Sequence, residues 1–187
     1  MMCDEDDMAQ LVASAQADGE AALILADRLI ARHPDDARLH FLRGSLLAGG
    51  ARAIEAHAAL ARAVALAPDF ALARFQLGFF ELTSGEAARA LDTWAPLGAA
   101  DDPHYLARFV VGLTHLIHDR FADAVAALQD GIAANQDNPP LSRDMQMVID
   151  ACAGQAATPG VAPAPQDSER SATSFLLGQT GGRGPVH

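Results

Sequence analysis

The sequence predicts an all-α fold built from successive helical hairpins, and three observations carry that expectation. Gly44, Gly78 and Gly112 fall 34 residues apart, and the same offset aligns Ala56 with Ala90 and Ala124, and Leu60 with Trp94 and Leu128. The stretch "ARFQLGFF" at 73–80 returns as "ARFVVGLT" at 107–114, keeping its arginine, phenylalanine and glycine in place. Half of the 187 residues are apolar and only 5% are aromatic, a balance that favours Ala/Leu-rich helices over strands.

The elements follow in order. Residues 1–7, with "DEDD", form an acidic N-terminal segment, a solvated run that also suits the positive end of the first helix. Residues 8–36 read as a degenerate leading helix pair, with Ala22 in the place of Ala56 and Pro34 closing it. Three regular units occupy 37–70, 71–104 and 105–138. In each, a glycine eight places in and an alanine at place twenty let the two helices approach closely, since larger side chains would hold them apart. Pro34 and Pro68, also 34 apart, stop one helix and start the next through a fixed φ and a missing N–H. The "PDD" and "PDF" that begin there are expected to supply N-cap carboxylates.

Pro96 falls inside the second helix of the middle unit, where an interior proline costs about 3 kcal/mol. That helix should end early, leaving "LGAADDP" as a longer loop and Pro103 one place out of register. Residues 139–153 open with two prolines and set Leu141, Met145, Val148 and Ile149 on one helical face, as a helix capping the last apolar surface requires. Residues 154–187 hold six glycines and four prolines. They are expected to be disordered, because they cannot bury enough apolar surface to offset backbone entropy. Phe175, Leu176 and Leu177, in "SFLL", stand out there as a candidate interaction motif.

A 34-residue helix–turn–helix period is the tetratricopeptide signature. Through "RLHFLRGSLLAGGARAIEAHAALARAVALAP" and its two successors, the chain resembles the tetratricopeptide-repeat (TPR) family of bacterial and other proteins. The resemblance implies a right-handed superhelix of antiparallel helix pairs, a TPR solenoid. It departs at the fourth place, where His40, Arg74 and Arg108 replace a large aromatic. It departs again at the eleventh, where Leu47, Glu81 and His115 replace a tyrosine, and at the seventh, where Arg43 replaces a leucine.

The resemblance also assigns places two, five, nine and twelve of each first helix to a concave groove. Here they are Arg38, Phe41, Ser45 and Ala48; Leu72, Phe75, Phe79 and Leu82; and Leu106, Phe109, Leu113 and Leu116. Ten of these twelve are apolar, so the expected guest is an apolar or amphipathic polypeptide segment. The occupant stays open between a foreign protein, a second copy of the chain and its own "SFLL". Clamps for acidic tails use lysine, asparagine and arginine; this chain has no lysine, and Arg38 is the sole cation among those places. The expected function is a non-catalytic interaction scaffold or adaptor. Chaperones for type III secretion translocators, also acidic and built from three such repeats, form the alternative.

Other classes are disfavoured. Thirteen basic against 24 acidic side chains leave a formal charge of −11, which repels a phosphate backbone and argues against nucleic acid. No secretory leader is legible, and no apolar run approaches the roughly 20 residues that span a bilayer. With Cys3 and Cys152 as its only cysteines, the chain is expected to be cytoplasmic with free thiols. His115 and His118, at i and i+3 beside Asp119, could meet one metal, but two imidazoles do not fix a site; no metal or cofactor is expected. Asp101, Asp102 and His104 read as a helix-start cap before any catalytic group, and no nucleophile or phosphate-loop motif is present.

Overall fold

A computed structural model describes residues 2–98 and 104–156, with backbone alone for 153–156. The 99–103 part of the expected long loop, with Asp101, Asp102 and Pro103, lies outside the described residues, as does the tail with Phe175, Leu176 and Leu177. The described residues form nine α-helices: α1 (Glu5–Ala17), α2 (Gly19–Arg32), α3 (Ala37–Gly49), α4 (Ala53–Leu66), α5 (Ala71–Thr83), α6 (Ala87–Trp94), α7 (Tyr105–Ile117), α8 (Phe121–Ala134) and α9 (Pro139–Ala156). A single 3-10 turn at Ala95–Leu97 follows α6, so Pro96 does end that α-helix early. The chain divides into two compact units, Met1–Phe80 and Glu81–His187.

In the first unit, Leu11, Ala22, Ala26, Leu29 and Leu39 join Cys3 in a buried cluster, and Leu23, Leu47, Ala56 and Ala59 form a second. α3 packs on α4 through Gly44: a Cβ built there would stand 2.7 Å from Leu60 Cγ. In the second unit the same contact recurs two repeats later, with a Cβ on Gly112 reaching Leu128 Cγ at 2.7 Å and Ala124 O at 3.1 Å. The two aligned columns of the sequence thus touch one another in the α3–α4 and α7–α8 hairpins. Three residues before Gly112, Phe109 meets Gly131, three residues after Leu128, so α7 and α8 run antiparallel.

The hairpin turns repeat as strictly as the helices. Ala51, Gly85 and Asp119, each 34 apart, have φ of 58°, 85° and 56°. Around each, the N–H one residue on donates back five positions: Arg52 to Leu47 O, Glu86 to Glu81 O and Arg120 to His115 O, at 2.9–3.0 Å. The left-handed residue itself donates to the carbonyl three back, at Ala48, Leu82 and Leu116. This is the Schellman closure, which satisfies the last carbonyls of one helix while turning the chain into the next. Neither α4, α6 nor α8 has a side-chain N-cap; each starts directly from the turn.

The first helices of the pairs start differently. Asp4, Asp36 and His104 cap α1, α3 and α7 through side-chain acceptors, and Asp18 caps α2, the second helix of the leading pair, in the same way. In "PDD" the capping carboxylate is Asp36. In "PDF" that place is Phe70, so the expected carboxylate cap is absent immediately before α5. An aromatic takes its place, with the Phe70 ring 5.3 Å from that of Phe41.

The acidic N-terminal run is more than a solvated segment. α1 already begins at Glu5, Asp7 pairs with Arg32 at 2.9 Å, and Glu5 pairs with Arg38 at 2.8 Å. Behind them, Asp36 is fully buried and accepts from the Cys3 N–H (2.9 Å), the Arg38 N–H (3.0 Å) and Arg38 Nε and Nη2 (3.1 and 2.9 Å). Arg38 Nη2 also donates to the Cys3 carbonyl at 2.8 Å. Burial alone would raise the Asp36 carboxyl, but hydrogen bonds from the Arg38 side chain and from the Cys3 and Arg38 N–H groups bring it below the usual range. The same contacts, from Asp36 and then Glu5, push Arg38 further up.

Candidate functional site

The expected groove residues fall into two groups. In the first unit, Arg38, Phe41 and Ser45 on α3 and Leu72 and Phe79 on α5 are half-buried, each presenting some surface. Arg38 differs from expectation in its employment. Its guanidinium is taken up by Asp36, Glu5 and the Cys3 carbonyl, so it fixes the N-terminal segment before it could serve a guest. Phe75, next to Phe79 at 6.1 Å between ring centroids, is 0% exposed.

In the second unit, Leu82, Leu106, Phe109, Leu113 and Leu116 are all buried. Phe109 is 0% exposed, with Tyr105 at 5.8 Å on one side and Gly131 on the other. The expectation that Phe75 and Phe109 turn outward is therefore corrected. Period alone cannot separate a groove stripe from a core stripe, and the absent side chain at Gly131 is what admits the Phe109 ring between α7 and α8.

The polar residues at the fourth place have a local employment. His40 Nε2 donates to Pro34 O at 2.8 Å and Arg74 Nη2 to Pro68 O at 2.9 Å, the same six-residue reach in consecutive repeats. Each ties the start of a first helix to the carbonyl of the proline that ends the preceding pair. Arg108 instead faces Asp130 of α8 at 3.7 Å. Arg43 likewise has acidic neighbours, Asp27 at 2.7 Å and Glu55 at 4.0 Å. Glu81, in the place of a tyrosine, is buried but accepts from Thr93 Oγ1 at 2.7 Å and has Arg89 at 3.7 Å.

Small and polar side chains at these places leave relief on the surface of the second unit. A cleft of about 480 Å³ is lined by Arg108, Val111 and His115 of α7 with Asp123, Ala126 and Asp130 of α8, among others. A second, of about 240 Å³, is lined by Leu91, Trp94 and Gly98 with Val110, Val111 and His115. Val111 and His115 belong to both, so the two clefts adjoin across α7. His115 Nδ1 is shielded from solvent with no hydrogen-bond partner. His118 is the exposed C-cap of α7, and Asp119 is the left-handed turn residue. Among the described residues no three His, Cys, Asp or Glu side chains are grouped to hold a metal ion.

Three residues of consequence carry no periodic signal. Gly131 makes room for Phe109. Asn135 closes α8 and sets the next helix: its Nδ2 donates to Asn138 O (2.7 Å) and Ser142 Oγ (2.9 Å), and its Oδ1 accepts from the Asn138 N–H (2.9 Å). Asp36 organises the N-terminal segment. An asparagine three residues before "NPP" was the available sign for the second of these; "PDD" announced Asp36 as a cap but not its bond to Cys3, and Gly131 depends on Phe109, distant in sequence.

No family model matches the sequence, and no curated protein matches it in sequence. Solved structures do match in fold. "MamA 41-end from Desulfovibrio magneticus RS-1" superposes with a TM-score of 0.56 at 14% identity, covering 81% of this chain and 96% of that one. The "MamA RS-1 ArsTM double mutant" gives 0.54 at 14% identity, covering 83% and 99%. At this identity the likeness is one of fold: the chain has an all-helical, TPR-like architecture.

Proposed function

We propose that this protein is a non-catalytic interaction scaffold that takes an apolar or amphipathic polypeptide segment on the helix face of α3 and the Ala71–Phe80 part of α5. The observation that carries the reading is the set of half-buried aromatic and aliphatic side chains there, Phe41, Phe70, Leu72 and Phe79. Large apolar side chains left partly exposed in one region mark a contact surface, and a repeat of helical hairpins presents such a face on rigid elements. The acidic charge of −11 and the absence of lysine make an acidic tail a poor guest.

The test replaces two half-buried contact rings. A photo-crosslinking residue at position 41 should capture a segment rich in apolar side chains, and Phe41→Ala with Phe79→Ala should abolish that capture. Ile54→Ser, at a residue 89% exposed on α4, serves as the control and should leave it intact. Capture that survives the double replacement overturns the assignment of this face.

A further inference from the structure

We propose that the paired clefts on α7 are the docking site of this chain's own segment around Phe175–Leu177, independently of the α3/α5 face. The clefts have an apolar end that presents Leu91 and Val111 over the buried Trp94 and Val110, and an acidic end at Asp123 and Asp130, where two carboxylates outnumber the one guanidinium of Arg108. Within 157–187, Phe175, Leu176 and Leu177 are the large apolar run, and Arg170 and Arg183 flank it on either side. Apolar side chains therefore match one end. Arg183, on the side of the run that carries no acidic residue, can reach the other, whereas Arg170 stands beside Glu169 and Asp167.

Length supports the same occupant. α9, which precedes the tail, packs on α8, whose Asp123, Ala126 and Asp130 wall the larger cleft. Nineteen residues separate Ala156 from Phe175, and covalent geometry lets them span anything up to roughly 65 Å. A unit of this length has a radius of gyration of about 11 Å, so the segment reaches any point on its own unit's surface. Tethering at this range gives an effective concentration of about 1 mM. A segment that binds with a dissociation constant of about 0.1 mM when free is then docked in roughly nine of ten molecules. A partner for these clefts would have to displace it.

Trp94, the single tryptophan, is 1% exposed beneath the wall of one cleft, and its emission reports on that wall. Deleting residues 168–187, or replacing Phe175, Leu176 and Leu177 with alanine, should shift the Trp94 emission and speed amide exchange in the last turns of α7 by about tenfold. Adding a peptide of residues 168–187 to the truncated protein should reverse both changes at submillimolar concentration. Unchanged emission and exchange on truncation overturn the proposal. So does a tail effect that grows with protein concentration, which would make a second copy the occupant.

Discussion

The repeated left-handed turn supports a quantitative test of how the hairpins are closed. Ala51 and Gly85 occupy the same place of the Schellman closure, with φ of 58° and 85°. An L-residue pays roughly 1–2 kcal/mol for that conformation, whereas glycine does not. Glycine in turn loses more freedom on folding, which removes about 0.4–1 kcal/mol of the gain. Ala51→Gly should therefore stabilise by about 0.5–1 kcal/mol, and Gly85→Ala should destabilise by a similar amount. Thermal and urea unfolding followed by circular dichroism would read these as opposite shifts of about 2 °C, at 2–4 °C per kcal/mol for a chain of this length. Asp119→Gly should move in the same direction as Ala51→Gly by less, because aspartate tolerates this region better than alanine. A loss of stability in Ala51→Gly would refute the reasoning, because the Ala51 Cβ would then contribute more than its left-handed backbone costs.

Three further outcomes follow from the packing and the ionised groups. Gly131→Ala would set a Cβ 2.4 Å from Phe109 Cδ1 with the ring unable to swing out, costing about 1–3 kcal/mol; Phe109→Leu in the same chain should recover part of it, measurable as a double-mutant cycle. Because folding depresses the Asp36 carboxyl, its contribution is complete above the unfolded value near pH 4 and is lost as pH falls through the lower folded value. Asp36→Ala should cost about 2–3 kcal/mol at pH 7 and flatten the acid limb of a stability-versus-pH curve. Cys3 and Cys152 are both buried with thiols pushed up, chiefly by burial, so a thiol reagent at neutral pH should label neither until its unit opens. Mass spectrometry of the two sites then times the two units separately.

What the sequence made legible was what repeats. The 34-residue columns of glycine, alanine and leucine are local consequences of helix period and contact distance, and Gly44 against Leu60 and Gly112 against Leu128 are those columns in three dimensions. The stop at Pro96 was equally local. What escaped depends on partners that no period announces. The burial of Phe109 rests on a glycine 22 positions on. Arg38 sits at a groove place, yet its hydrogen bonds run to Cys3 and Glu5, more than 30 residues away. The polar residues at the fourth place were visible as departures. The bonds that His40 and Arg74 make to the proline carbonyl behind them were legible only once that carbonyl had a position.

Because the joints at Ala51, Gly85 and Asp119 close with the same backbone geometry, the chain has natural splice points. The segment from Ala53 to Glu86 starts just after one such joint and finishes at the next. Copying it in tandem would join Glu86 to Ala53 at the place where Arg52 now meets it, asking for no new loop. Recombination could thus lengthen or shorten this lineage in whole steps, with selection left to act on side chains alone.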